Sequence, residues 1–249
     1  MKKPLCFSAL LIAHSIVVAQ ANYSIQAEDA AGLWGQADGT GAGNDIVRAA
    51  FAAAGDTVNF QVVPYNRCKW TVMAGHSLAC FGMGRSDELK GKVTFPKHSI
   101  YTNTSTIFVR KADAAKFKRI EDLRPHTEIG TVRGYEYPAV FEQLINSGVL
   151  SPIQANSEVQ ILKMLAVGRF DLAVGNLDDL KNADYLLKQA GVADTVQVAF
   201  PLAPAGTFLG FAVHHPETPA AMQSFDHGMA AIKANGTLAK ILKKWKAKL

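Results

Sequence analysis

Apolar positions along the chain switch repeatedly between the two-residue period of a strand and the three-to-four-residue period of a helix. NYSIQAED, 22–29, predicts a strand ending in acids, and LWGQADGTGAG, 33–43, a turn-rich loop. NDIVRAAFAAAG, 44–55, predicts a helix capped by Asn44 or Asp45 and stopped by Gly55. A strand over 57–64, a short helix over 66–75 and a strand over 77–83 follow. This β-α-β-α-β order is that of a parallel sheet flanked by helices.

A long extended run, TNTSTIFVRK at 102–111, comes next, and then the alternation restarts. A short helix at RIEDLRP, a strand at HTEIGTV, a helix at PAVFEQLINSG and a short strand at IQA are predicted. A helix at SEVQILKMLAVG, a strand at RFDLAVGN, a helix at DDLKNADYLLKQAG and a strand at DTVQVAFP complete the second unit. A second extended run, 206–215, precedes two closing helices. In the first, Met222, Phe225, Met229 and Ile232 share a face; in the second, Leu238, Ile241, Leu242 and Trp245 do. Asn235-Gly236 reads as the stop between them and Thr237 as a new cap. If 102–111 carries the chain out to a second unit, 206–215 must bring it back. The fold class is therefore α/β with two lobes: 22–108 and 209–249 form a discontinuous first lobe, and 109–208 an inserted second one. A cleft between two such lobes is a natural ligand site.

The first 21 residues, MKKPLCFSALLIAHSIVVAQA, place two lysines before an apolar run and end small-x-small. They read as a secretory signal peptide cleaved after Ala21, which puts the mature chain in the periplasm. Its loss lowers the formal charge from +5 to +3, because only Lys2 and Lys3 leave. So mild a balance gives no ground for nucleic-acid binding. The mature chain keeps Cys68 and Cys80, and an isolated pair in an oxidising compartment reads as a disulfide. Two cysteines without nearby histidine do not make a zinc site, and adjacent His214 and His215 would point apart on a strand, so no metal or other cofactor is expected.

Motifs for catalysis are weak. DGTGAGND lacks the G-x-G-x-x-G spacing and a Walker lysine, and GHSLA is not a G-x-S-x-G elbow because residue 79 is alanine. Candidate binding residues lie where strands end. Gly82 and Arg85 sit in CFGMGRSDELKGKVTFP, where an arginine beside glycines could hold an anion at a cleft mouth. Asp29 leaves the first strand, where it could meet an ammonium group. Arg133, Gly134, Tyr135 and Tyr137 in VRGYEY join a strand to a helix, supplying a charge, a close backbone approach and two aromatic walls. Asn176 and Asp178 leave the next strand in VGNLDD, and Trp34 and Tyr65 offer further walls.

IKANGTLAKILKKWKAK (232–248), MLAVGRFDLAVGN (164–176), DLRPHTEIGTVRGYEY (122–137) and DGTGAGNDIVRAAFAAAG resemble, over nearly all of the mature chain, the bacterial extracellular solute-binding proteins of family 3. These are periplasmic receptors of polar amino-acid ABC importers. The resemblance implies a type II periplasmic-binding fold with a two-strand hinge, a small polar, carboxylate-bearing solute, docking on an ABC permease in the inner membrane, a monomer, and no catalysis. Where the family places the arginine that holds the solute carboxylate, this chain has Leu89, and Arg85 becomes the expected substitute. The acid that takes an amino group falls on Asn176, with Asp178 two residues on. Two other readings stay open. One is a dehydratase-like enzyme on the same fold, with Glu28, Asp29 and Glu136 as acid–base candidates; the other is a receptor for a signalling partner.

Overall fold

The computed structural model describes residues 20–28 and 32–248. The expected signal peptide falls almost wholly outside them, and Asp29 lies outside them too.

Strands β1 (Asn22–Glu28), β2 (Thr57–Val63) and β3 (Ala79–Met83) pair in parallel, with helices α1 (Ala42–Ala53) and α2 (Tyr65–Met73) in the connections. A two-residue strand β4 (Val93–Thr94) precedes β5 (Tyr101–Arg110). The second unit repeats the plan. Strands β6 (Thr127–Val132), β7 (Leu150–Ala155) and β8 (Leu172–Leu177) are parallel, linked by α3 (Ala139–Asn146) and α4 (Glu158–Ala166). Helix α5 (Ala183–Ala190) leads into β9 (Val196–Ala212), and α6 (Thr218–Ala234) and α7 (Thr237–Lys246) close the chain.

The sheet order is β2-β1-β3-β9-β5-β8-β6-β7, with β4 also on β9. Residues 196–207 of β9 run antiparallel to β5, and residues 208–211 antiparallel to β3. The two α/β lobes are thus joined by strands β5 and β9. Each lobe has its own core, and Leu180 and Tyr135 of the second lobe reach apolar clusters of the first. Ile25, Phe51, Phe81, Phe211, Phe225 and Trp245 pack in one, and Phe108, Leu162 and Phe170, with Ile129, Phe141 and Leu172 beside them, in the other. Residues 105–109 of β5 are buried in succession, the polar Ser105 and Thr106 together with the apolar Ile107, Phe108 and Val109, as in a strand covered on both faces.

Several local expectations are corrected. The strand expected at 194–201 and the extended run from 206 are one strand, β9. Pro201 and Pro204 fit inside it because the β5/β9 register shifts between Thr104 and Thr106, opposite them, where ladder hydrogen bonds lapse. Helix α1 starts earlier than expected, at Ala42 with Gly41 in the cap position; Asn44 instead donates from Nδ2 to the Gly39 carbonyl. Helix α7 starts at Thr237, with Gly236 rather than Thr237 in the cap position, and the Thr237 N–H donates to Asn235 Oδ1. Cys68 on α2 and Cys80 on β3 form a disulfide with Cα atoms 5.5 Å apart, inside a cluster that includes Met83, Leu89 and Val93.

Candidate functional site

A cavity of about 70 Å³ lies between the lobes, at the C-terminal ends of the parallel strands. The first lobe supplies Glu28 from the end of β1, Trp34 from the loop after it, Tyr65 from the start of α2, and Gly82 and Gly84 from the end of β3. The second lobe supplies Tyr135 and Glu136 from the loop after β6, and Asn176, Asp178 and Lys181 from the exit of β8. The crossing strands contribute Tyr101, Asn103 and Thr207. Trp34 stacks on Tyr101 at 3.7 Å between ring centroids, and Tyr65 meets Tyr135 edge-on at 5.6 Å.

Six of the residues expected from the sequence are brought together here: Trp34, Tyr65, Gly82, Tyr135, Asn176 and Asp178. Four are not. The Arg85 side chain is exposed and sits outside the cavity, with its guanidinium 4.6 Å from the Phe208 ring and 5.6 Å from that of Phe95. At Gly82 the backbone takes φ +92° within the β3/β9 irregularity, and Arg85 lines a separate cleft that Glu136 and Tyr137 of the second lobe also line. Leu89, at the family arginine position, is 1% exposed and fills the apolar cluster beside the disulfide. Arg133 is exposed and lines a neighbouring cleft that also touches Glu28. Tyr137 is buried, accepting from the Val132 N–H at its hydroxyl and packing on Phe141. Gly134 contacts the other lobe: a Cβ there would fall 1.8 Å from Asn66 Oδ1, and its φ is +83°.

The lobes are tied across the cavity by polar contacts. Trp34 Nε1 donates to Asp178 Oδ1 at 2.9 Å, and the Tyr135 hydroxyl donates to Glu28 Oε1 at 3.3 Å. Glu136 reaches furthest. Its carboxylate accepts from the Tyr65 hydroxyl and from Gly84 N at 3.0 Å, and lies 2.8 Å from Lys69 Nζ. Lys69 also donates to the Gly134 carbonyl at 3.1 Å and pairs with Glu88 at 2.7 Å. Gly84 permits this approach, since a Cβ there would come within 2.9 Å of Glu136 Cβ.

Burial lifts the Glu28 carboxyl to about 7, against the pull of Lys181 and with Glu158 adding to the rise. Burial also raises Asp178, while Lys181 and the Trp34 hydrogen bond oppose it. For Lys181, burial disfavours the charge, but Glu158 at 2.6 Å and Asp178 more than offset it, and its pKa is raised. Burial keeps Tyr65, Tyr101 and Tyr135 neutral phenols. Lys69, Glu88 and Lys181 were not among the residues expected from the sequence. Tyr101, Asn103 and Ser105 carried a legible signal, the period-two face of β5; Asn103 bonds Thr207 and Ser105 orients the Asn176 carbonyl. Among the described residues, no group of three or more His, Cys, Asp or Glu is placed to hold a metal ion.

The sequence profile of the bacterial extracellular solute-binding proteins, family 3, matches residues 21–248. The chain belongs to that family. No curated protein sequence matches the chain at a significant level. Among solved structures, this family 3 chain is similar to a histidine kinase sensor domain with similarity to periplasmic binding proteins, at TM-score 0.73 and 18% identity, covering 90% of this chain and 95% of that one. It is similar to an ABC uptake transporter substrate-binding protein from Streptococcus pneumoniae with bound histidine, at TM-score 0.70 and 19% identity over 90% and 92% of the two chains. It is also similar to an ancestral amino acid-binding protein described as a precursor of cyclohexadienyl dehydratase, at TM-score 0.68 and 22% identity over 90% and 95%. At these identities the likeness establishes the type II periplasmic-binding fold.

Proposed function

We propose that the protein captures one small polar solute of amino-acid size in the interlobe cavity and performs no chemistry on it. The observation that carries this reading is that side chains of both lobes line one enclosed space at the strand ends. A solute there touches both lobes and stabilises their closed arrangement by its differential contacts. In this reading 22–108 and 209–249 move as one body and 109–208 as the other, with β5 and β9 as the hinge. Residues 1–21 direct export and are removed after Ala21. The mature chain acts as a monomer in the periplasm and hands its solute to an ABC permease in the inner membrane. Family membership and the likeness to the pneumococcal ABC-associated protein support delivery to an importer.

Two observations favour other readings. The likeness to a histidine kinase sensor domain supports a receptor that reports solute to a signalling partner. Glu28, lifted to about 7 within a cavity, has the acidity suited to proton transfer, which supports an enzyme. One screen separates the binding readings from the enzyme, and co-purification of the solute-loaded protein with a membrane permease or with a sensor kinase separates the two binding readings. Thermal unfolding is followed across amino acids, carboxylates, amines and small sugars, since saturation at a hundred times Kd adds about 2.7 kcal/mol of apparent stability. The account expects a solute that stabilises the wild type, fails to stabilise Trp34→Ala, and is recovered unchanged. Product formation contradicts the binding reading, and equal stabilisation of the variant contradicts the cavity.

A further inference from the structure

The charges around the cavity do not balance. Lys181 is engaged by Glu158 at 2.6 Å. The lysine behind Glu136, Lys69, is engaged by Glu136 at 2.8 Å and by Glu88 at 2.7 Å. Each basic group is therefore matched by at least one carboxylate, and among the described residues Glu28 and Asp178 have no cation of their own in contact. Arg85 lies over Phe208, and Arg133 is exposed in the separate cleft beyond Glu28. Asp29, Ala30 and Ala31, which follow Glu28, bring no basic side chain.

The two carboxylates differ. Asp178 Oδ1 accepts from Trp34 Nε1, Leu180 N and Lys181 N, so its charge is already spread over three fixed donors. Glu28 has one described partner, the Tyr135 phenol at 3.3 Å. Around it stand four electron-rich rings, the Trp34–Tyr101 stack and the Tyr65–Tyr135 pair. Ring faces beside an unmatched carboxylate favour an organic cation through the ring quadrupole and direct charge pairing. A solute carboxylate would instead meet a lysine already neutralised by Glu158 and the repulsion of Glu28 and Asp178.

We propose that the solute is a small organic cation, an alkylammonium or quaternary ammonium compound, held by Glu28 and the aromatic walls, and that a carboxylate is not needed for its recognition. The proposal rests on the interlobe cavity being the solute site. At about 70 Å³ the cavity is far below the roughly 300–1,000 Å³ of drug-sized pockets, which confines the cation to a few heavy atoms. Because burial favours a proton on Glu28, a cation bound beside it displaces that proton near neutral pH.

The test is titration calorimetry of the mature protein at pH 7 with ethylammonium, tetramethylammonium, propionate and alanine, in two buffers of different ionisation enthalpy. At least one ammonium probe should bind with a buffer-dependent heat that reports proton release. Glu28→Gln, checked for folding by circular dichroism, should weaken that binding by about tenfold or more. Binding of propionate or alanine without ammonium overturns the cation and leaves the interlobe site standing. Ammonium binding that neither Glu28→Gln nor Trp34→Ala weakens overturns the assignment to this cavity. No binding of either ammonium probe at millimolar concentration overturns the cation proposal, while the solute screen decides separately whether the cavity takes any ligand.

Discussion

Lys69→Met tests whether the interlobe contacts hold the lobes together. Lys69 and Glu136 come from opposite lobes, and their side chains are only 8% and 4% exposed. Methionine preserves most of the lysine stem and removes the charge. Glu136 would then stay enclosed with the Tyr65 hydroxyl and Gly84 N but no cation. Removing one partner of a buried ion pair costs about 3–5 kcal/mol, and the two surviving donors argue for the lower end. Separation of the lobes relieves that cost without unfolding either core, because Glu136 can withdraw from α2 into solvent. About 3 kcal/mol corresponds to a shift of roughly a hundredfold in the closed-to-open ratio, and to a loss of solute affinity up to the same factor. Glu136→Gln should do less, since Lys69 keeps Glu88 and glutamine can still accept from Tyr65 and Gly84. The assay is small-angle scattering of the free protein, with calorimetric affinity and thermal unfolding. The reasoning predicts a larger radius of gyration, weaker binding and retained cooperative unfolding. An unchanged radius and affinity with a lowered melting temperature would refute it, because the pair would then support one lobe rather than join two.

Glu28 gives a pH prediction. Its folded pKa is raised from 4.5 to about 7, so the stabilisation is fully present below pH 4.5 and is lost as pH rises through about 7. The loss is about 3 kcal/mol, with Asp178 acting in the same direction; Tyr135, Lys181, Glu158 and Glu136 face the group throughout. Denaturant titrations from pH 5 to 8 should show this decline in the wild type and a flatter profile in Glu28→Gln; equal slopes would count against it. Gly134→Ala places a methyl against Asn66 at a left-handed backbone position, and calorimetry should show solute affinity reduced about tenfold or more; wild-type affinity would remove this contact from the closed state. Intact mass with and without reductant should differ by two hydrogens for Cys68–Cys80, and Cys68→Ala/Cys80→Ala should lower stability by about 2–4 kcal/mol; two free thiols in periplasmic protein would contradict the bridge.

The alternation of strands and helices was legible because each element carries its own period, and the crossing strands stood out as long extended runs at either end of the second unit. Proline hid the continuity of β9: Pro201 and Pro204 suggest a break, whereas a register shift in the partner strand accommodates them. The aromatic walls were legible as residues at strand exits. The position of Arg85 outside this cavity was not legible, because its direction depends on the left-handed Gly82 and the irregular β3/β9 pairing, which sequence spacing does not encode. Lys69 and Lys181 read as ordinary polar positions near helices. Lys69 gains its buried Glu136 partner only when the second lobe docks, and Lys181 meets Glu158 only through the fold of the second lobe itself. Glu28 and Glu136 were noticed as acids, but their separate roles depend on the fold: Glu136 meets Lys69, whereas Glu28 has the Tyr135 hydroxyl as its described partner.

The central claim is that a solute binds between the lobes, and a crystal structure of the protein with the most stabilising solute of the thermal screen tests it most directly. The account predicts solute density between the Trp34–Tyr101 stack and Glu28, with both lobes in contact. Density confined to the groove beside Arg85, with the interlobe cavity filled only by water, would contradict it.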